Sequence, residues 1–289
     1  MSYKHTKESA RAILAALAAG ESVNGVTVAR FQPPKAPRIL GSSVKVEKGR
    51  SMGILSAVAY LAPAYSGGIK VGGKAFNACP SATKGCRAGC LGEHSGRLAM
   101  GASANSRRWK LALYLAAPDI FRALVEREIA ALERNAKRLG TVAAVRMDGA
   151  TDLGIAQALA LPASFPNVRF YDYTKVGARI EAWEPSANYH LSYSANEGRD
   201  SQRLAALAIE KGLSVAAIVP AGTEPNPIAL ARAVMGRYRF ESSGTRLAYI
   251  VNGDDSDARF LDPPGSIVWL GVKGGKRIAR RLGGMVFQV

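Results

Sequence analysis

Apolar positions recur at helical spacing over residues 7–19 and stop at Gly20, which predicts an amphipathic N-terminal helix. Val26–Phe31 alternates as a short strand does. Residues 32–37 hold three prolines and read as an irregular crossover. Val44–Glu47 reads as a further short strand, in a hairpin with the next segment. Met52–Leu61 is an apolar run between Gly49 and Pro63, the pattern of a strand buried on both faces. Ala64–Asn77 carries Gly67, Gly68, Gly72 and Gly73 and reads as loop. Leu98–Leu115 has helical character. A second helix opens at Pro118, where a missing N–H costs nothing, with Asp119 in its first turn. Phe121, Leu124, Val125, Ile129 and Leu132 give that helix one apolar stripe, and Gly140 ends it.

Beyond Gly140 the pattern repeats as strand, loop and helix. Strands are expected at Val142–Met147, Val168–Tyr173, Tyr189–Tyr193, Ser214–Val219, Leu247–Val251 and Ile267–Leu270. Helical patterns at Ser201–Lys211 and Pro227–Met235 lie between them. Such alternation predicts an α/β fold with a mostly parallel sheet, either a partial (β/α) barrel or a curved sheet. Residues 1–50 form an irregular extension packed on a main domain of residues 51–289. In a parallel sheet the strand C-termini make one rim, where α/β proteins place their chemistry. The loops after Leu61, Met147, Tyr173, Tyr193 and Val251 belong to that rim.

All three cysteines of the 289-residue chain, Cys79, Cys86 and Cys90, lie on the first of these loops. Three thiols cannot pair off as disulfides, and their spacing suits ligation. Three thiolates suit a 4Fe–4S cluster whose fourth iron stays open to an outside ligand. His94 extends the set to Cys-x6-Cys-x3-Cys-x3-His, which suits zinc, as in RNA-binding fingers of three cysteines and one histidine. The plain alternative is three small thiols in the packing.

The net charge of +17 points to a polyanionic partner, most plausibly nucleic acid. Two basic clusters carry that reading. Arg107, Arg108 and Lys110 surround Trp109, and Lys273, Lys276, Arg277, Arg280 and Arg281 lie near the C-terminus. Ordinary solvated helix faces are the alternative. No apolar run is long enough to span a membrane, and the first twenty residues lack a signal-peptide pattern, so a cytoplasmic protein is expected.

The stretch Asn77-Ala78-Cys79-Pro80-Ser81-Ala82-Thr83-Lys84-Gly85-Cys86-Arg87-Ala88-Gly89-Cys90 resembles phage-encoded proteins of the gene-product-eighty-eight type. Later blocks resemble that family in order: Asn105–Trp109, Val145–Gly149, Val168–Lys175, Leu191–Ser194 and Asn252–Arg259. The family is similar to the radical-SAM partial barrel in placing a three-cysteine loop after an early strand. The resemblance implies a 4Fe–4S cluster on Cys79, Cys86 and Cys90, in the host cytoplasm. The spacing departs from the radical-SAM Cys-x3-Cys-x2-Cys, and Gly89 stands where that motif has an aromatic residue. Both departures speak against S-adenosylmethionine binding, and whether the chain is an enzyme stays open.

The remaining candidates are weaker. Asp254, Asp255 and Asp257 offer hard oxygen ligands, although Asn252-Gly253 already marks a turn there. Asp148 and Asp172 near strand ends suit acid–base work, or else cap helices and pair with Arg146 and Arg169. His190 reads as a packed strand residue. Gly271–Lys276 is rich in glycine and lysine after a strand and gives a weak phosphate signal. Neither a nucleophile elbow nor a phosphate-binding P-loop is present.

Overall fold

The computed structural model describes residues 3–42, 47–94, 96–236, 249–273 and 275–288. The chain is a mixed α/β protein with eight strands in a mostly parallel sheet, ordered β10-β11-β9-β8-β7-β6-β3-β2. Those strands are β2 (Leu40–Gly41), β3 (Ile54–Ala59), β6 (Val142–Arg146), β7 (Arg169–Thr174), β8 (Tyr189–Ser194), β9 (Ser214–Val219), β10 (Ile250–Asn252) and β11 (Ile267–Gly271). Contacts divide the chain into two compact units, residues 1–80 with 96–170, and residues 81–95 with 171–289.

In the first unit, β3 and β6 run parallel, with Ile54 opposite Val142 and Val58 opposite Arg146. Helix α1 (Tyr3–Ala18) packs on α4 (Gly101–Ala116) and α5 (Pro118–Arg138). The stripe expected on α5 is core: Phe121, Leu124, Val125 and Ile129 are fully buried, while Leu132 is half-buried. Burial of each such side chain contributes on the order of 2 kcal/mol. β2 pairs antiparallel with β3. The strand expected at Val44–Glu47 falls largely outside the described residues.

The stretch expected to be loop, Ala64–Asn77, instead holds β4 (Ile69–Val71) and β5 (Lys74–Ala75), an antiparallel hairpin that pairs with β1 (Val26–Val28). Gly72 and Gly73, both at positive φ, make its two-residue turn, the conformation that hairpins of right-handed twist require. Strands of three and two residues are too short to show a period.

In the second unit, β9 is parallel to both β8 and β11, and β10 is parallel to β11. Short helices α6 (Ile155–Ala158) and α7 (Leu161–Ser164) belong to the first unit and α8 (Gly177–Glu181) to the second, where helices α9 (Ser201–Glu210) and α10 (Pro227–Met235) lie where the sequence pattern put them. Asn226 caps α10 by accepting from the Ile228 and Ala229 N–H groups. This unit also carries two short helices, α2 (Lys84–Ala88) and α3 (Leu91–His94), and a basic helix, α11 (Gly275–Leu282). Among the described residues, no helix is long and apolar enough to cross a membrane.

Candidate functional site

The division between units falls after Pro80, inside the cysteine stretch, so Cys79 is described with the first unit and Cys86 and Cys90 with the second. Cys79 lies beyond the carboxyl ends of β3 and β6. The Ala64 N–H, from a residue held at φ 46°, donates to the Cys79 sulfur at 3.3 Å. The thiol in turn reaches the Ala150 carbonyl at 3.7 Å. Asn77 Oδ1 accepts the Cys79 N–H at 3.0 Å, an Asx turn that gives the residue two before the cysteine a physical role.

The loop after β6 is built around Asp148, which is 1% exposed. Its Oδ1 accepts the Thr151 hydroxyl at 2.7 Å and the Leu153 N–H at 3.0 Å, and its Oδ2 accepts the Ile155 N–H at 3.0 Å. The adjoining Gly149 touches β3 closely: a Cβ there would stand 2.6 Å from Val58 and 2.8 Å from the Ala59 carbonyl. Asp148 thus closes its own loop and receives the first N–H of the short helix Ile155–Ala158, the role nearest to the capping one weighed for it. Asp172, also buried, accepts from the Tyr189 hydroxyl at 3.3 Å.

In the second unit, Thr83 caps α2 by accepting the Cys86 N–H at 3.2 Å. Glu197, from the loop after β8, holds the same turn. Its carboxylate accepts the Gly85 N–H at 2.7 Å and the Thr83 hydroxyl at 2.9 Å. Thus the cysteine helix is fastened to a strand's carboxyl end. Cys86 packs against an apolar cluster of Val272, Ile278, Leu282, Met285 and Val286. Cys90 lies four residues on, and its thiol is pushed up to about 11. Burial is the main cause. The Gly92 and Glu93 N–H groups oppose it, while negative charge on Cys86 and Glu93 adds to it. The His94 N–H bonds the Cys90 carbonyl at 2.9 Å, and the residue is half-buried. Among the described residues, no group of three or more His, Cys, Asp or Glu side chains stands together to hold a metal ion, whether as three cysteines, as cysteines with His94, or as the 254–257 acids.

Those acids are engaged elsewhere. Asp254 Oδ2 pairs with Lys273 at 2.6 Å, Asp255 accepts from Asn252 at 3.1 Å, and the buried Asp257 faces the Tyr171 and Tyr173 hydroxyls. The basic clusters separate by burial. Arg107 (5% exposed) donates to the Leu98 carbonyl, Arg108 donates to the Arg30 carbonyl, and Trp109 is buried. Lys110 is buried and pushed down to about 8 by desolvation, which the neighbouring Glu128 opposes. By contrast Lys273, Lys276, Arg277, Arg280 and Arg281 are all exposed.

Sequence reasoning did not single out Glu197 as the anchor of the cysteine helix, or Lys175, whose ammonium meets Ser194 Oγ at 2.6 Å. The only signal was position, since both come after strands. The model of the gene product 88 family matches residues 39–284. No curated protein and no solved structure matches the chain.

Proposed function

We propose that this chain, which belongs to the gene product 88 family, is an iron–sulfur protein that engages nucleic acid. Cys79, Cys86 and Cys90 would hold one 4Fe–4S cluster. The observation that carries the reading is the treatment of the sulfurs. Cys86 and Cys90 lie four residues apart on one short stretch of the second unit, and in the first unit the Ala64 N–H is directed at the Cys79 sulfur at 3.3 Å. Hydrogen bonds to sulfur are among the features by which proteins tune such clusters. The donor set fits in kind, since all three ligands are soft thiols on one twelve-residue stretch. It is not gathered as a ready-made metal group among the described residues, so drawing the ligands together falls to the 79–90 stretch on loading. Loading would also strip the Cys90 proton. When bound, the group would supply one-electron chemistry and one iron with an open position. The nucleic-acid part rests on the +17 charge and on exposed cations of α11.

The test is metal and sulfide analysis of anaerobically purified protein, with its visible spectrum. About four irons and four sulfides per chain and a broad band near ~400 nm are expected. One zinc without sulfide, lost in His94→Ala, would replace the cluster by a Cys3His zinc site. Neither metal would end both readings.

A further inference from the structure

Four cations of α11 share one face. At 100° per residue, Lys276, Arg277, Arg280 and Arg281 fill the arc opposite Ile278 and Leu282. All four are exposed, and among the described residues none of them has a hydrogen-bond or ion-pair partner. Lys273, just before the helix, is different: Asp254 neutralises it at 2.6 Å. A basic amphipathic helix of this kind can also lie on an anionic membrane, where burial of its apolar face in lipid adds to the attraction of its charges. Here that face is already used. Ile278 and Leu282 are 1% and 5% exposed, within the cluster that receives Cys86. What stays available is charge alone, and planar guanidinium groups on a rigid face match phosphodiester oxygens.

The helix is also mounted on the cysteine helix with little clearance. A Cβ on Gly89 would stand 2.5 Å from the Leu282 side chain, and one on Gly85 would collide with the Leu282 carbonyl oxygen. Glycine at these two positions lets α11 lie directly on α2.

Building on the nucleic-acid reading above, we infer that the outer face of α11 is the principal phosphate-backbone contact of this chain, held in place by the packing of Leu282 on Gly85 and Gly89 of the cysteine helix. Binding there rests on phosphate charge more than on base identity, because the described residues of α11 add no Asn, Gln or aromatic side chain to the four cations. It is strongly salt-dependent, because each phosphate contact releases close to one counterion.

The experiment titrates a short mixed-sequence oligonucleotide, single-stranded and duplex, against the full chain over a range of salt. The fourfold variant Lys276→Gln, Arg277→Gln, Arg280→Gln, Arg281→Gln is compared with a charge-matched control on the first unit, Lys70→Gln, Lys74→Gln, Arg134→Gln, Lys137→Gln. The α11 variant is expected to lower the log–log salt slope by about 3 and the low-salt affinity by at least about tenfold, with the control within about one unit of wild type. Gly89→Ala leaves the charge unchanged, and with folding verified by circular dichroism it is expected to weaken binding several-fold. Equal losses in both fourfold variants would overturn the α11 assignment and leave a diffuse basic surface. Wild-type affinity in Gly89→Ala would overturn the mounting. Binding to anionic vesicles but to neither oligonucleotide would overturn the assignment and the nucleic-acid reading together. Iron content in the same samples reports the cluster reading separately.

Discussion

Asp148 and His190 show how burial assigns a residue its role. Three donors converge on the Asp148 carboxylate from the segment that leads away from β6. Truncation would leave them unpaired in a site closed to water. Asp148→Ala is therefore expected to destabilise the chain by about 3 kcal/mol, read as a lower denaturation midpoint. Asn at this position should recover part of the loss, since its amide oxygen can still accept. His190 is held down to about 4, first by desolvation and then by the neighbouring Arg259. Its ring nitrogen lies 3.4 Å from the Ser214 hydroxyl. The unfolded chain binds a proton near the ordinary histidine value, and the folded chain does so only near 4. Stability is thus fully present above about pH 6.5 and falls as pH drops toward 4, by up to about 3 kcal/mol. His190→Gln should flatten the stability curve over that interval, and an unchanged acid slope would contradict this account.

At the element scale, α2 is too short to hold itself together and depends on what fastens its first turn. Thr83 supplies one cap and Glu197 the other restraint, across 112 residues of sequence. Glu197→Ala is expected to cost about 1 kcal/mol globally, because the carboxylate is partly solvated. Its local effect is sharper: hydrogen exchange at the Gly85 amide should accelerate while the amides of β9 stay protected. The long elements were legible beforehand because each repeats its period several times. The α5 stripe is of this kind, while β9 was legible as a nearly unbroken apolar run of strand length. The β4–β5 hairpin was not legible, because its partner β1 lies some forty residues away and supplies the pairing that five strand residues alone cannot specify.

For the whole molecule, the charge of +17 raised two basic clusters to equal standing, and burial parted them. Arg107 and Lys110 stand in the packing of the first unit, whereas the four cations of α11 face water. Linear spacing carries no record of which face a neighbouring element will cover. Strand order shows the same limit. Succession along the chain is kept from β3 to β9, and then β11 enters between β9 and β10. That insertion comes from the parallel pairing of Ile267 with both Val215 and Ile250, a matter of partner choice. By itself the sequence determined the α/β class, the sites of the long helices and central strands, the cysteine stretch and the strong positive charge, because periodicity, composition and local spacing act within a few residues. Only the tertiary structure decided that Asp148 closes its own loop, that Lys273 is neutralised, and that Gly85 and Gly89 exist to admit Leu282. The Asp148 bonds close within 7 residues and the Asp254–Lys273 pair spans 19, whereas Leu282 meets Gly85 and Gly89 from the far end of the chain, and none of these approaches follows a local period.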